Sequence, residues 1–181
     1  MKKAVFVTGQ GEALIHRVFG ERQMERLSGL CRISETVVDV DDPERFRETL
    51  READYIVSSW GMFPWTARQI ETYLPRCQAL FYAAGSVQGF ARGFLEAGVK
   101  VFSAWQANAV PVALYTVSQI LLSAKGYFRV QPLMKQGKAA ARAAFERYPG
   151  NYQIKVGILG AGAIGRRVIR MLQGTGLEIW V

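Results

Sequence analysis

The residues of this chain with the clearest chemical spacing are Gly160, Ala161, Gly162, Ala163, Ile164 and Gly165. A short apolar run beginning at Ile154 precedes them, and an apolar-periodic segment, residues 166–172, follows at once. Strand, glycine turn and helix in that order fit the G-x-G-x-x-G pattern of dinucleotide binding. Gly160 permits the tight turn, Gly162 lets a pyrophosphate approach the backbone, and Gly165 lets the helix lie close on the strand. Free N–H groups and the positive dipole end of that helix would hold the phosphates. A purely structural glycine turn is the alternative. The strand-like run at residues 177–181 completes a strand–helix–strand unit and favours the dinucleotide. The acidic residue that grips the ribose in such a unit comes about 20 residues on, where the sequence reaches Val181. NAD and NADP therefore both stay open as cofactors.

A second candidate lies further forward. Ala84, Gly85, Ser86, Val87, Gln88 and Gly89 follow an apolar strand at residues 79–83. Free N–H groups in a glycine-containing turn after a strand can hold a carboxylate or a phosphate, though the local sequence fits a connecting turn equally well. Ligands of parallel sheets sit at the carboxyl ends of the strands. That places residues 58–61 and 85–87 on the ligand side. His16 is the only histidine; it has no partner pattern and reads as a surface or half-buried structural residue. Cys31 and Cys77 show neither metal nor redox spacing and read as reduced thiols of a cytosolic protein, with no metal site.

The elements that must position these turns can be read from periodicity. Strand-like runs at residues 4–8, 36–40, 54–58, 79–83 and 99–103 alternate with helical spacings, which predicts a parallel α/β sheet. The helical stretches are residues 12–30, with Gly20 placed to interrupt them, then 66–74, and 90–97 closed by Gly98. A short helix should also open with Asp42 as N-cap and Pro43 in its first turn and run to Leu50. Residues 101–124 carry no charge, long enough to raise a membrane span. Gln106, Asn108, Ser118 and Gln119 argue against one. The expectation is a strand, a loop, and then a helix over about residues 110–128, apolar nearly all round and so buried on most sides. Residues 131–147 are basic and alanine-rich and partly helical, and Pro149, Gly150 and Asn151 break them. The chain thus reads as a near-complete α/β domain over residues 1–105, then a connector helix and an incomplete second domain over residues 106–181.

Composition narrows the partners. Of 181 residues, 23 are Lys or Arg and 15 are Asp or Glu, a formal charge of +8. The basic residues are interleaved with acids, as in Glu21-Arg22-Gln23-Met24-Glu25-Arg26, which is the pattern of solvated helix faces. No nucleic-acid partner is expected, and Arg166 and Arg167 beside the glycine turn read as solvent-facing. Half the residues are apolar and 21% charged, the balance of an ordinary globular protein. No basic and apolar leader opens the chain, so a cytoplasmic protein without a membrane partner is expected.

The order of parts resembles the D-isomer-specific 2-hydroxyacid dehydrogenase family over essentially the whole chain. Three places carry the resemblance. Residues 74–87 look like the family's strand and substrate loop, usually Gly-x-Gly-x-Asp and here Ala84-Gly85-Ser86-Val87-Gln88-Gly89. Residues 99–113 look like its Val-Thr-Asn, loop, Asn and Val-Ala region, and Gly160 to Gly165 is its cofactor turn. The resemblance implies a flavodoxin-like substrate domain, a crossing helix and the start of a Rossmann domain. It implies NAD(P)-dependent interconversion of a 2-hydroxy acid and a 2-keto acid of the phosphoglycerate, glyoxylate or hydroxypyruvate type. The backbone at Gly85, Ser86 and Val87 would hold the substrate carboxylate. Asn108 would lie at the domain cleft, its plainer reading being a helix-entry residue in a loop. The full-length form would be a homodimer.

Two departures qualify this. Leu114 stands where the family usually has a glutamate. The family's catalytic arginine, glutamate and histidine lie beyond the second Rossmann strand and have no counterpart here. Hydride transfer to a ketone leaves an alkoxide that needs a proton donor, which is histidine's task. The expectation is an N-terminal portion of such an enzyme, inactive alone. The alternative is a non-catalytic NAD(H)-sensing or interaction protein on the same fold.

Overall fold

Five apolar runs of the first hundred residues pair side by side. The computed structural model describes residues 1–181, which form two compact units, Met1–Trp105 and Gln106–Val181. In the first, β1 (Lys3–Thr8), β2 (Arg32–Asp39), β3 (Tyr55–Ser58), β4 (Ala79–Tyr82) and β5 (Lys100–Ser103) make one parallel sheet in the order β2-β1-β3-β4-β5. That is the flavodoxin-like order. Alternate residues of β1 face opposite ways. Val5 and Val7 enter one buried cluster with Leu50, Ile56, Ile70, Leu80 and Phe94. Ala4 and Phe6 enter another with Ile15, Cys31 and Val57. Each large apolar side chain so buried contributes about 1.5–3 kcal/mol.

The helices follow the breaks in the sequence. Residues 12–30 form two helices, α1 (Glu12–Val18) and α2 (Glu21–Ser28), because Gly20 is extended and begins the second. The helix expected from Pro43 is a correction: α3 (Arg47–Arg51) starts only at Arg47. Asp42 Oδ1 does accept the Arg45 N–H at 3.3 Å. The bonds that follow, Phe46 N to Pro43 O and Arg47 N to Glu44 O, are of the i→i+3 kind, so the segment is a tight turn. α4 (Ala67–Tyr73) opens with a capping box between Thr66 and Gln69. α5 (Ala91–Glu96) ends before Gly98, whose φ of +78° takes the left-handed conformation of a helix terminator.

The second unit holds α6 (Trp105–Ala124), α7 (Tyr127–Leu133), a 3-10 turn (Met134–Gln136), α8 (Lys138–Phe145), β6 (Lys155–Gly157), α9 (Ala163–Leu172) and β7 (Glu178–Trp180). β6 and β7 pair in parallel, Val156 opposite Ile179. α6 departs from the expected residues 110–128 at both ends. It begins at Trp105 and runs through Pro111, which gives up one N–H of the helix ladder. It stops at Ala124, ahead of Gly126, which sits at φ +67° against the Tyr148 ring. Nor is it buried on most sides. Ala109, Ala113 and Ala124 are buried, whereas Val110, Leu114 and Tyr115 are exposed. The reason is a one-sided fit: Ala113, Val117, Ile120 and Leu121 pack with Val168 and Leu172 of α9. By length and composition alone α6 is apolar enough to cross a membrane.

Candidate active site and dinucleotide turn

The carboxyl ends of β1, β3, β4 and β5 are level, because the register pairs Val7 with Ser58, Ser58 with Tyr82, and Tyr82 with Ser103. Three loops therefore emerge side by side, at residues 9–11, 59–66 and 84–90. Buried hydroxyls tie their roots. Ser58 Oγ donates to Val7 O at 2.7 Å, Thr8 Oγ1 to Trp60 O at 3.0 Å, and Ser59 Oγ to Ala83 O at 3.5 Å. Gly9 N donates to Gly61 O at 2.9 Å. Thr8, Ser58 and Ser59 are three of the four buried polar residues of the chain. They did not stand out in the sequence, since a hydroxyl at a strand end has no period of its own.

Gly85, Ser86 and Val87 lie where a strand-end ligand would sit. Val87 is half-buried against the core, and its carbonyl accepts Phe90 N and Ala91 N at 3.1 and 2.8 Å. Ser103 Oγ donates to Ala84 O at 3.2 Å and also toward Gly85 O. The N–H groups of Gly85, Ser86 and Val87 meet no protein acceptor. This loop offers donors for an anion, and the carbonyls of Ala84, Gly85 and Val87 are engaged elsewhere. Asn108 belongs to the second unit, half-buried in the first turn of α6, so the loop expected around it is helix. Leu114 is 50% exposed, so the position is not an interior one in this chain.

The six residues of the glycine turn are assembled as their spacing requires. Gly160 has φ +91°, which an L side chain rarely adopts. A Cβ on Gly165 would lie 2.0 Å from Gly160 O, so only glycine lets α9 start this close to the strand. A Cβ on Gly162 would meet nothing within 4 Å, leaving the space a phosphate would need. The N–H groups of Ala163, Ile164 and Gly165 have no protein acceptor, and helix bonding begins with Arg166 N to Gly162 O at 3.0 Å. These features fit a pyrophosphate at the helix start. Arg166 is exposed and Arg170 Nε turns back to Arg166 O at 3.3 Å.

The remaining candidates carry no chemistry at these sites. His16 is exposed on α1, its Nε2 3.3 Å from Glu12 Oε1. Burial pushes the Cys77 thiol up to about 11 and raises Cys31 as well, so neither is a ready thiolate at neutral pH. A hollow of about 480 Å³ with Tyr55, Phe81, Phe102 and Leu30 in its lining lies on a sheet face. It reaches the carboxyl ends of β4 and β5 at Tyr82, Ala83, Ser103 and Ala104, and its lining is almost wholly apolar.

No family model matches the sequence, and no curated protein matches it. Solved structures match by shape. The NAD-dependent formate dehydrogenase of Staphylococcus aureus in complex with NAD superposes with a TM-score of 0.68 at 19% identity, covering 98% of this chain and 55% of that one. An acyclic imino acid reductase in complex with NADPH and D-Arg gives 0.74 at 13%, covering 98% and 54%. The D-lactate dehydrogenase of Aquifex aeolicus complexed with NAD and lactic acid gives 0.63 at 18%, covering 97% and 50%. The chain thus spans about half the length of the solved structures it matches. It has the α/β fold of the D-2-hydroxyacid dehydrogenases, with a parallel five-stranded sheet ahead of a strand–glycine turn–helix–strand unit.

Proposed function

We propose that this chain supplies the substrate domain and the opening of the nucleotide domain of an NAD(P)-dependent oxidoreductase that interconverts a 2-hydroxy acid and a 2-keto acid. The observation that carries the proposal is the turn at Gly160 to Gly165. It combines a left-handed Gly160, a Gly165 pressed on Gly160 O, open space at Gly162 and three unaccepted N–H groups. The pyrophosphate of NAD or NADP would be held by the N–H groups of Ala163, Ile164 and Gly165. The cofactor would supply the hydride chemistry, and the chain would position it. The free N–H groups of Gly85, Ser86 and Val87 would hold the substrate carboxylate, an arrangement that binds without a charged side chain.

The one histidine is 64% exposed at its side chain and engaged with Glu12. The acid–base group of the reaction is thus assigned outside these 181 residues, in keeping with a chain half the length of its structural matches. The outward face of α6, with Val110, Leu114 and Tyr115, is assigned to a homodimer of the full protein.

The test is to titrate the ¹⁵N-labelled 181-residue chain with NADH and then to add glyoxylate. The amides of residues 160–165 should shift on NADH, and glyoxylate should shift those of Gly85 to Val87 without NADH oxidation. Silence at residues 160–165 would end the dinucleotide assignment. Steady NADH oxidation would move the acid–base centre into this chain.

A further inference from the structure

Charge is not spread evenly along this chain. Residues 125–147 hold Lys125, Arg129, Lys135, Lys138, Arg142 and Arg147 against one acid, Glu146. The interleaving of acids that marks α2 stops here. All six cations are exposed. The single acid is already taken up, its Oε1 lying 3.2 Å from Arg142 Nε.

These cations sit on a helical hairpin. α7 and α8 pack side by side, joined by the 3-10 turn and by Gly137 at φ +113°. Lys138, Ala141, Arg142 and Phe145 fall on one face of α8 by their spacing. Ala141 is buried at the foot of that face. Val130 and Met134 from the other arm join Lys138, Arg142 and Phe145 in lining one open groove of about 590 Å³. Met134 stays 55% exposed and Phe145 50%.

Apolar side chains and cations thus share one surface, and a partner must satisfy both. A soluble anion would pair with the cations and leave Met134 and Phe145 in water. An apolar partner would cover those side chains and strip water from the ammonium and guanidinium groups. A second copy of the hairpin would set like charge against like. A bilayer with anionic headgroups offers negative charge at its surface and acyl chains beneath it. Lys and Arg can lay their aliphatic stems along the apolar layer and keep their heads among the phosphates. Tyr127 and Phe128, exposed on α7, add rings of the kind that settle at that boundary.

We propose that the α7–α8 hairpin is a docking surface for an anionic lipid bilayer. Met134 and Phe145 enter the headgroup layer, and Lys135, Lys138 and Arg142 lie among the lipid phosphates and carboxylates. The contact is peripheral, because α7 has seven residues and α8 eight, far short of the roughly 20 needed for a span. It stands independently of the carboxylate and dinucleotide assignments.

The experiment sediments the 181-residue chain with vesicles of phosphatidylcholine, with and without added phosphatidylserine. Binding should require the anionic lipid. It should weaken from low salt to about 0.15 M ionic strength, where the Debye length is about 8 Å. Lys135→Glu with Lys138→Glu should lower partitioning about tenfold or more. Arg22→Glu with Arg26→Glu removes the same charge from exposed positions on α2 and should leave most of the binding. Phe145→Ala should weaken binding while keeping its dependence on the anionic lipid. If the Lys135 and Lys138 double variant loses its dispersed amide spectrum, Lys135→Gln with Lys138→Gln takes its place. Equal losses from the two charge-reversal pairs would mean that net charge alone acts, and would overturn the proposal. Absence of binding, or equal binding to both kinds of vesicle, would overturn it too. So would tighter binding to single-stranded DNA than to the anionic vesicles, which makes the hairpin a nucleic-acid site. A change of oligomeric state in the hairpin variant would make it a contact between copies and would also end the lipid assignment.

Discussion

Ser103, the last residue of β5, donates its hydroxyl toward the carbonyl of Gly85 in the loop after the neighbouring strand, and at 3.2 Å to that of Ala84. One proton is shared between two carbonyls. Both acceptors of the loop root are thereby engaged with β5, and the N–H groups of Gly85, Ser86 and Val87 are left free. Ser103→Ala should cost about 0.5–1.5 kcal/mol of stability in urea unfolding. It should also weaken glyoxylate binding at the Gly85 to Val87 amides by more than that stability loss explains. Ser103→Thr, which keeps the hydroxyl, should restore the binding. Equal weakening by both variants would show that volume at position 103 matters and the hydrogen bond does not.

The two glycines of the nucleotide turn should separate folding from binding. Gly165→Ala places a methyl 2.0 Å from Gly160 O, so backbone must move, at a cost of about 1–3 kcal/mol. Gly162→Ala meets nothing within 4 Å, and its φ of −73° suits alanine. That change should cost about 1 kcal/mol or less, the difference between glycine and alanine at a helix N-cap. Its methyl would occupy the phosphate space, however, so NADH binding should fall with the thermal midpoint nearly unchanged. Unchanged NADH affinity in Gly162→Ala would place the pyrophosphate elsewhere.

Much of this arrangement was legible in the sequence, for physical reasons. The five-stranded sheet follows from buried runs such as Ala4 to Thr8 with helical spacing between them, and the glycine turn from three residues with separate steric tasks. The expected strand at residues 36–40 is shorter than β2, which starts at Arg32, because the polar Ser34, Glu35 and Thr36 fall where the register with β1 shifts between Ile33 and Val37 and break the apolar alternation. The helix at residue 105 was missed because Asn108 and Pro111 carry loop signals that the helix overrides. An apolar helix surface also does not say which side is covered. Ala113 and Leu114 are equally apolar in type, yet one is buried on α9 and the other faces out. The hydroxyl ties of Thr8, Ser58 and Ser59 join residues about fifty positions or two dozen apart, which no local pattern records.

The outward face of α6 yields a prediction about assembly. Leu114 and Tyr115 are 50% and 67% exposed, and Val110 lies one turn before them. Contiguous apolar surface of this kind marks a contact site. Light scattering should show the protein as a dimer, and Leu114→Glu combined with Tyr115→Glu should give monomers with unchanged helix content. Dimers that survive both charges would exclude this face as the interface.

At the amino ends of the strands, Asp54 should make the fold sensitive to acid. Its buried carboxylate accepts Lys3 N at 2.9 Å and lies 3.2 Å from Lys2 Nζ and 3.5 Å from an Arg76 nitrogen. The backbone hydrogen bond from Lys3 is the main reason its pKa sits below the usual aspartate value. The Lys2 hydrogen bond and the charges of Lys2 and Arg76 add to this, against a smaller opposing effect of burial. A carboxyl whose folded pKa is depressed stabilises the fold fully above its unfolded value of about 3.9 and loses that contribution as pH falls through the folded value. Asp54→Asn removes the charge and keeps the shape. The variant should be about 1–3 kcal/mol less stable than the parent at neutral pH. The gap should close as pH falls below about 3.9, once the parent's carboxyl is protonated too. Urea midpoints of both proteins across that range measure this directly. A gap of constant size would mean that Asp54 holds Lys3 by shape alone and that its charge adds nothing.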